Sequence, residues 1–372
     1  MAVCSTMASS APTSRCCADA GRIIRKRPGL SMSDSEPSSL RILVTGCAGR
    51  VGSAACADLI GAGHHVIGID IREPDDDPPF DFRLCDLTQE GAIEPHLQGI
   101  DAVLHLAAIP APRLGTPPAI FDLNCSGTFR LFQACADTDV HHVVVASSIN
   151  AIGYFFGTVP FELDYLPADE DHPKSTSDAY SFSKQITEDI GAYFARREQI
   201  SNACLRFGAG LAPLAELRLR MGEGLRSARA LVEQLVAQTE DEARSEIHRM
   251  RSTYDEARRG RTFEGEHRST LPHAEQRLMS MRQNYFSFVE LGEACRAMRL
   301  ALTTAFEGHH TLFVVDRRNS LALPAQLLAR LLYADVAPRC ELLGNQALVD
   351  WRRATDLLSF DSQISATQVM EP

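Results

Sequence analysis

A tyrosine and a lysine four residues apart, Tyr180 and Lys184 in the string YSFSK, form the first pair in this chain that could do chemistry. In a helix that spacing puts both side chains on one face. A free phenol ionises near pH ~10, too high for a base at neutral pH, and a nearby ammonium lowers that value. A YxxxK string is common by chance, and Ser148 gives this one its weight. It ends the apolar run HHVVVASS (141–148), and ligands of open α/β sheets bind at the carboxyl ends of strands. A second cluster is TGCAGRVG (45–52), which follows the apolar run RILV and opens a helix. Gly46 suits a tight turn, Gly49 a close approach of backbone to a pyrophosphate, and Gly52 close packing of the helix on the sheet. The helix N-terminus adds free N–H groups and the positive end of a dipole. Asp70 ends the next strand; a carboxylate there accepts hydrogen bonds from the adenosine ribose and repels a 2′-phosphate. The cluster therefore predicts a dinucleotide, NAD in preference to NADP, with Arg50 and Arg72 softening that preference.

These residues need elements to hold them. Apolar runs at 41–46, 64–70, 81–87, 101–108, 141–148 and 201–208 alternate with helical stretches at 48–63, 117–137 and 180–198. Strands that are apolar on both faces, alternating with helices, predict a parallel sheet covered on both sides, an α/β doubly wound fold. In the 117–137 helix the inward positions are Ile120, Asn124, Thr128, Leu131 and Cys135. Residues 213–262 break the alternation: they are rich in Arg and Glu and carry one stripe, Ala243, Ile247, Met250 and Tyr254. A lid or wall over a substrate and a solvated helical excursion packing that stripe on the body are both open readings. Strand character is expected again in NYFSFVE (284–290) and TLFVVD (311–316), with a helix between them. The domains expected are a disordered or targeting tail (1–39), a dinucleotide-binding domain (40–208), a helical substrate lobe (209–283), and a segment (284–372) that returns to the sheet and completes that lobe. In the tail, Met32 is a third possibility as the true start.

The order of TGxxGxxG, Asp70, Asp86-Leu87, HLAA, Asn124, Ser148, YxxxK and LRFG resembles the extended short-chain dehydrogenase/reductase family, in its NAD-dependent epimerase/dehydratase branch. The resemblance covers 40–208 well and 284–372 more weakly. It implies that Tyr180 is the general acid/base, that Lys184 holds the nicotinamide ribose and tunes Tyr180, and that Ser148 donates to or accepts from the substrate oxygen. It implies a cofactor site made by Gly46, Ala48, Gly49, Arg50, Val51, Gly52, Asp70, Asp86, Leu87, Leu106, Ala107, Ala108, Asn124, Tyr180 and Lys184, with Asp86 and Leu87 flanking the adenine. It implies hydride transfer at a hydroxyl or carbonyl of a sugar-like substrate, by an epimerase or a dehydrogenase, and a homodimer built on the helix that carries YxxxK. Dehydratases of the branch place Asp-Glu after the catalytic Ser or Thr; here Ile149 and Asn150 follow, and an amide is no acid or base. Dehydration is therefore disfavoured, and ASSINAIGY is similar to uronate dehydrogenases instead. Arg282, Arg317, Arg352 and Arg353 are candidates to grip a diphosphate, each more in keeping with a solvated surface. Glu290 replaces the family's Asp and is expected to cap a helix. A non-catalytic redox sensor or scaffold is the alternative class, and it predicts damage to a catalytic set that is intact.

Composition narrows the partners. The 372 residues are 45% hydrophobic and 23% charged, with a formal charge of −11. An acidic balance does not support nucleic-acid binding, and no run is long enough for a membrane helix. The 11 cysteines form no CxxC pair, so no metal site is expected, and their use as small hydrophobes suits a reducing, cytoplasmic setting. The His-His pairs at 64–65, 141–142 and 309–310 are expected at strand edges.

Overall fold

The computed structural model describes residues 39–259 and 269–371. The tail expected over 1–39 thus lies, but for Ser39, outside the described residues, as does the end of the 213–262 excursion. Seven strands form one sheet: β1 (Arg41–Thr45), β2 (His65–Asp70), β3 (Asp81–Leu84), β4 (Ala102–His105), β5 (His142–Ser148), β6 (Ser201–Phe207) and β7 (His309–Val314). All neighbours pair in parallel, in the order β3-β2-β1-β4-β5-β6-β7. The order reverses between β1 and β4, which opens a crevice at their carboxyl ends.

Consecutive residues Ile42, Leu43 and Val44 are all fully buried, so both faces of the sheet are covered, as the doubly wound reading expects. On one face Ile42, Val44, Leu104, Val144 and Leu205 pack with α1 (Arg50–Gly61) and α8 (Leu291–Thr303). On the other, Leu43, Val103, Val143 and Val145 meet Leu131 and Phe132 of α3 (Thr128–Asp137) and Phe194 of α4 (Ala179–Glu198). Each such ring contributes about 1.5–3 kcal/mol by its burial. α2 (Pro117–Phe121) runs into α3 through a single π-helical stretch, Asp122–Gly127. All five inward positions expected there, Ile120, Asn124, Thr128, Leu131 and Cys135, are buried.

The Arg- and Glu-rich excursion is two helices, α5 (Leu214–Val236) and α6 (Glu240–Arg259), followed by α7 (His273–Gln283). The α6 stripe is buried, from Met250 at 0% exposure to Ala243 and Ile247 at 4%. It joins a third core with Leu225 and Val232 of α5, Leu278 of α7, and Leu328 and Leu332 of α9 (Ala325–Leu332). α10 (Arg352–Leu358) and α11 (Ala366–Met370) close the chain, α11 against α5.

The strand expected over 284–290 does not form. Tyr285 and Phe286 take φ of 57° and 51°, which turns the chain after α7. A lone bridge between Gly210 and Val289 is the extended pairing found there. The apolar alternation reflected burial in a loop, since Tyr285, Phe286 and Phe288 are at most 1% exposed. Glu290 caps α8 as expected, accepting the Glu293 N–H at 3.1 Å. The histidine pairs sit at strand ends, with His65 opening β2, His142 opening β5 and His309 opening β7.

Candidate active site

Ser148 is the last residue of β5 and caps the short 3-10 turn Ile149–Ile152. Across from it, Asp178 caps α4 by accepting the Ser181 N–H at 2.8 Å. That start fixes the helix so that Tyr180 and Lys184 both turn inward, at 7% and 5% exposure. The Ser148 hydroxyl lies close enough to Tyr180 to favour its ionised form, and Lys184 Nζ lies 5.9 Å from the centre of the Tyr180 ring. The three residues expected to form the catalytic set are therefore brought together.

Their electrostatics differ from the sequence reading. Burial pushes the Tyr180 phenol up to about 12, against the pull of its hydrogen bond with Ser148 and with the Asp178 carboxylate adding to the rise. Burial also brings the Lys184 ammonium down to about 8. The ammonium donates to the Ala146 carbonyl at 2.7 Å, not to the phenol, so its expected downward pull on Tyr180 is outweighed. Of the two, Lys184 therefore loses its proton first, near pH 8, while Tyr180 keeps its own. Phe156, eight residues beyond Ser148, stands edge-on to the Tyr180 ring at 5.6 Å and 88°.

The Gly-rich loop lies at the crevice between β1 and β4. Gly46 has φ of 73°, and a Cβ there would fall 2.7 Å from the Ala107 backbone nitrogen. A Cβ on Gly52 would lie 2.0 Å from the Gly46 carbonyl oxygen, so this glycine lets the helix start against its own loop. Gly49 is the N-cap of α1 and supplies no side-chain cap, which leaves first-turn N–H groups to an anion. These features fit a dinucleotide pyrophosphate. Val51, Ala48 and Ala108 line the same loops half-buried. Asp70 has a role the sequence did not show: its carboxylate accepts the Ala48 N–H at 3.0 Å and the Arg72 N–H at 3.3 Å. It thereby holds the Gly-rich loop, with lone pairs left for ribose hydroxyls. Arg50 is taken by Glu216 of α5 at 3.0 Å, while Arg72 donates to the Ala48 carbonyl at 2.9 Å and stays beside Asp70.

A buried relay missed by sequence reasoning ties these parts together. The Thr128 hydroxyl donates to the Asn124 carbonyl at 2.6 Å, so its oxygen accepts from His105 Nε2–H at 2.9 Å. His105 Nδ1 must then accept the Thr45 hydroxyl at 2.8 Å. The Thr45 oxygen in turn accepts the Leu106 and Ala107 N–H groups, each at 3.1 Å. Burial holds His105 neutral, down at about 3, so this arrangement persists across the working pH range. A histidine at the end of a buried strand, register-paired with a threonine, was the available signal.

Asn124 itself is fully engaged: Oδ1 accepts Ile109 N–H at 2.8 Å, and Nδ2 donates to the Ile109 carbonyl at 3.1 Å and Ser183 Oγ at 2.9 Å. It fastens the loop after β4 to α4. Asp86 accepts from the Thr88 N–H and hydroxyl at 2.9 and 2.8 Å; burial alone would raise its carboxyl, and these bonds bring it below the usual range. Leu87 is buried at 4% beside Ile69.

Of the four candidate arginines, Arg317, Arg352 and Arg353 are exposed in surface ion pairs, as the solvated reading expects, and Arg282 is buried. Arg282 is not solvated: its guanidinium lies 4.8 Å from the Tyr333 ring and 5.6 Å from the Tyr154 ring, and Nε donates to the Leu332 carbonyl at 2.7 Å. Arg317 faces Asp361 at 3.5 Å, Arg352 faces Asp350 at 2.8 Å, and Arg353 pairs with Asp171. The α6 helix reaches the loop that follows Ser148. Arg258, 1% exposed, donates to the Gly157 carbonyl at 2.9 Å and the Tyr154 carbonyl at 3.1 Å. Beneath the site, Glu188 of α4 forms a buried pair with Arg206 of β6 at 2.8 Å and accepts the Ser147 hydroxyl at 2.7 Å.

The model of the NAD dependent epimerase/dehydratase family matches residues 42–242, more than half of the chain. The chain belongs to that family. The cofactor of that family is NAD. Among curated relatives, L-arabinose 1-dehydrogenase (NAD(P)(+)) of Haloferax volcanii is 29% identical over 188 residues, 49% of this chain and 72% of that protein. A uronate dehydrogenase of Pseudomonas syringae is 27% identical over 171 residues, 45% of this chain and 59% of that protein. The fold of the family is also that of MoeE5 in complex with UDP-glucuronic acid and NAD, with a TM-score of 0.55 at 20% identity, covering 89% of this chain and 96% of that one. None of these comparisons supports a non-catalytic sensor or scaffold. Among the described residues no group of His, Cys, Asp or Glu is placed to hold a metal, and no helix is long and apolar enough to cross a membrane.

Proposed function

We propose that this protein is an NAD-dependent oxidoreductase acting on a hydroxyl of a sugar or sugar-like substrate, with Ser148, Tyr180 and Lys184 as its catalytic set. The observation that carries it is the convergence of Ser148, Tyr180 and Lys184 beside an intact Gly-rich loop. NAD, when bound, supplies the hydride chemistry. The chain's own part is proton work. The singly deprotonated Tyr180–Lys184 pair takes the proton of the reacting hydroxyl. Ser148 hydrogen-bonds the same oxygen, and the Lys184 side chain, when it carries its proton, favours the phenolate. Gly46, Ala48, Gly49, Arg50, Val51 and Gly52 cradle the pyrophosphate, Asp70 holds the adenosine ribose, Asp86 and Leu87 flank the adenine, and Ala107, with Leu106 and Ala108 beside it, lies near the pyrophosphate and ribose. Arabinose and uronate dehydrogenases among the relatives favour release of a reduced cofactor and an oxidised sugar. Epimerisation, with the keto intermediate retained and reduced again, is the second reading, supported by the family's description.

We also infer a homodimer. Phe121, Phe129, Phe182 and Tyr193 are exposed on adjacent helices, α2, α3 and α4, where Phe121 stacks on Phe182 and Phe129 on Tyr193. Such an aromatic face suits a second copy of the same surface.

The test is to denature purified protein and assay any released dinucleotide, then to assay L-arabinose, galacturonate, glucuronate and UDP-glucose for NADH production and for epimerised product. Retained, near-stoichiometric NAD with an epimerised product establishes the second reading. Reversible NAD uptake with NADH production establishes the first. Failure to bind NAD or NADP refutes both.

A further inference from the structure

Ser148 Oγ is met by two donors from a single residue. The Asn150 backbone N–H and the Asn150 side-chain Nδ2 each lie 3.1 Å from it. A hydroxyl oxygen has two lone pairs and one proton. With both lone pairs engaged, the proton is what Ser148 has left to offer, and the Tyr180 phenol, whose ionised form the Ser148 hydroxyl favours, is close enough to receive it. The same amide has a second end. Asn150 is 9% exposed, and its Oδ1 has no hydrogen-bond partner among the described residues. A carboxamide oxygen can accept and cannot donate, and a buried acceptor left unpaired is destabilising. Oδ1 shares its carbon with the nitrogen that touches Ser148, so it lies in the immediate neighbourhood of Ser148 Oγ.

We propose that Asn150 positions Ser148 as a one-way proton donor, by filling both lone pairs of its Oγ, and that Asn150 Oδ1 accepts a hydroxyl on the substrate carbon next to the reacting one. The ligand class is thus a vicinal diol, with one hydroxyl oxidised and its neighbour read by Asn150. The second half rests on the sugar reading given above; the first half does not. Asn150 stands where an acid would follow the serine for dehydration, and the amide gives the position a different task. It fixes the direction of a hydrogen bond without moving a proton itself. A direction fixed this way also favours the Tyr180 phenolate, which a Ser148 O–H stabilises and a Ser148 lone pair would not.

The test uses the full chain with NAD and compares wild type, Asn150→Ala and Asn150→Asp. An ionised carboxylate at this position draws the Ser148 proton to itself, so Asn150→Asp is expected to lower kcat about a hundredfold at neutral pH. Protonating that carboxyl restores a donor to Ser148. The ratio of variant to wild-type kcat therefore rises as the pH falls from about 8 to about 5, the range in which a buried carboxyl titrates. The titratable groups around Ser148 are Tyr180, Lys184 and Asp178 of the α4 region and, beyond Ser147, Glu188 with Arg206; both proteins carry them, so the ratio removes their contribution. Asn150→Ala is expected to abolish a preference, about a hundredfold in wild type, for a sugar over its analogue lacking the neighbouring hydroxyl. Equal losses in the two variants with a flat pH ratio would overturn the proposal. A neutron structure of the NAD-bound protein decides the first half without turnover. A Ser148 deuteron directed to the Tyr180 side supports it, and one directed to the Asn150 side chain overturns it. If wild type oxidises or epimerises none of the sugars, the sugar reading fails while the deuteron still decides the role of Asn150.

Discussion

At the scale of single residues, the proposed assignment separates groups that do proton work from groups that hold them. Tyr180→Phe keeps the ring and removes the acid/base, so kcat is expected to fall by about 10²–10⁴-fold while NADH binding, followed by its fluorescence, is retained. The pH profile follows from the pair. Its first proton leaves near pH 8, so kcat/KM for oxidation should rise through about that pH and then level off. A profile flat across neutral and mildly alkaline pH would refute the assignment. Asp70 sits beside Arg72, which is already turned onto the Gly-rich loop. Asp70→Ser removes the repulsion and leaves the guanidinium, so NADP affinity is expected to improve at least tenfold, read by titration with NADPH. The same change removes the acceptor for Ala48 N–H, and a loss of NAD affinity should accompany the gain.

At the scale of elements, the Glu188–Arg206 pair locks α4 to β6 directly under the catalytic helix face. Burial alone would raise the Glu188 carboxyl, but Arg206 and then Lys174 outweigh it and bring it down to about 2. A carboxyl lowered on folding stabilises the fold above its unfolded value of 4.5, and that stability is lost as the pH falls toward about 2. Glu188→Gln leaves a buried guanidinium without its countercharge, an expected loss of about 3–5 kcal/mol in denaturant unfolding at neutral pH. That difference from wild type should shrink in acid. Elements were also where the sequence was most and least legible. The α6 stripe was visible because four apolar residues at helical spacing can only be buried together. The loop at 284–290 was misread because Tyr285 and Phe286 carry no glycine-like sign of their positive φ. Arg258, Glu188 and Arg206 were hidden for a third reason: a charged residue reads as solvated until its partner, distant in sequence, is known. The cofactor loop and Tyr180–Lys184 needed no such partner, since their chemistry lies in short-range spacing. The α6 excursion now has a defined contact, through Arg258 on the loop that places Phe156 at Tyr180.

At the scale of the whole molecule, the aromatic face on α2, α3 and α4 predicts the assembly. Phe182→Glu places a charge amid Phe121 and its neighbours, and light scattering should show the dimer replaced by monomer; an unchanged mass would exclude this face. The sheet itself has a consequence in time. β6 ends at Phe207 and its partner β7 begins at His309. About 100 residues, the helical lobe among them, must leave the ribosome before that edge can be paired. At about 5–20 residues per second, the edge of β6 waits roughly 5–20 s as an open row of backbone donors and acceptors. Synthesis speed and chaperone supply, more than final stability, should therefore govern how much of this protein is recovered intact.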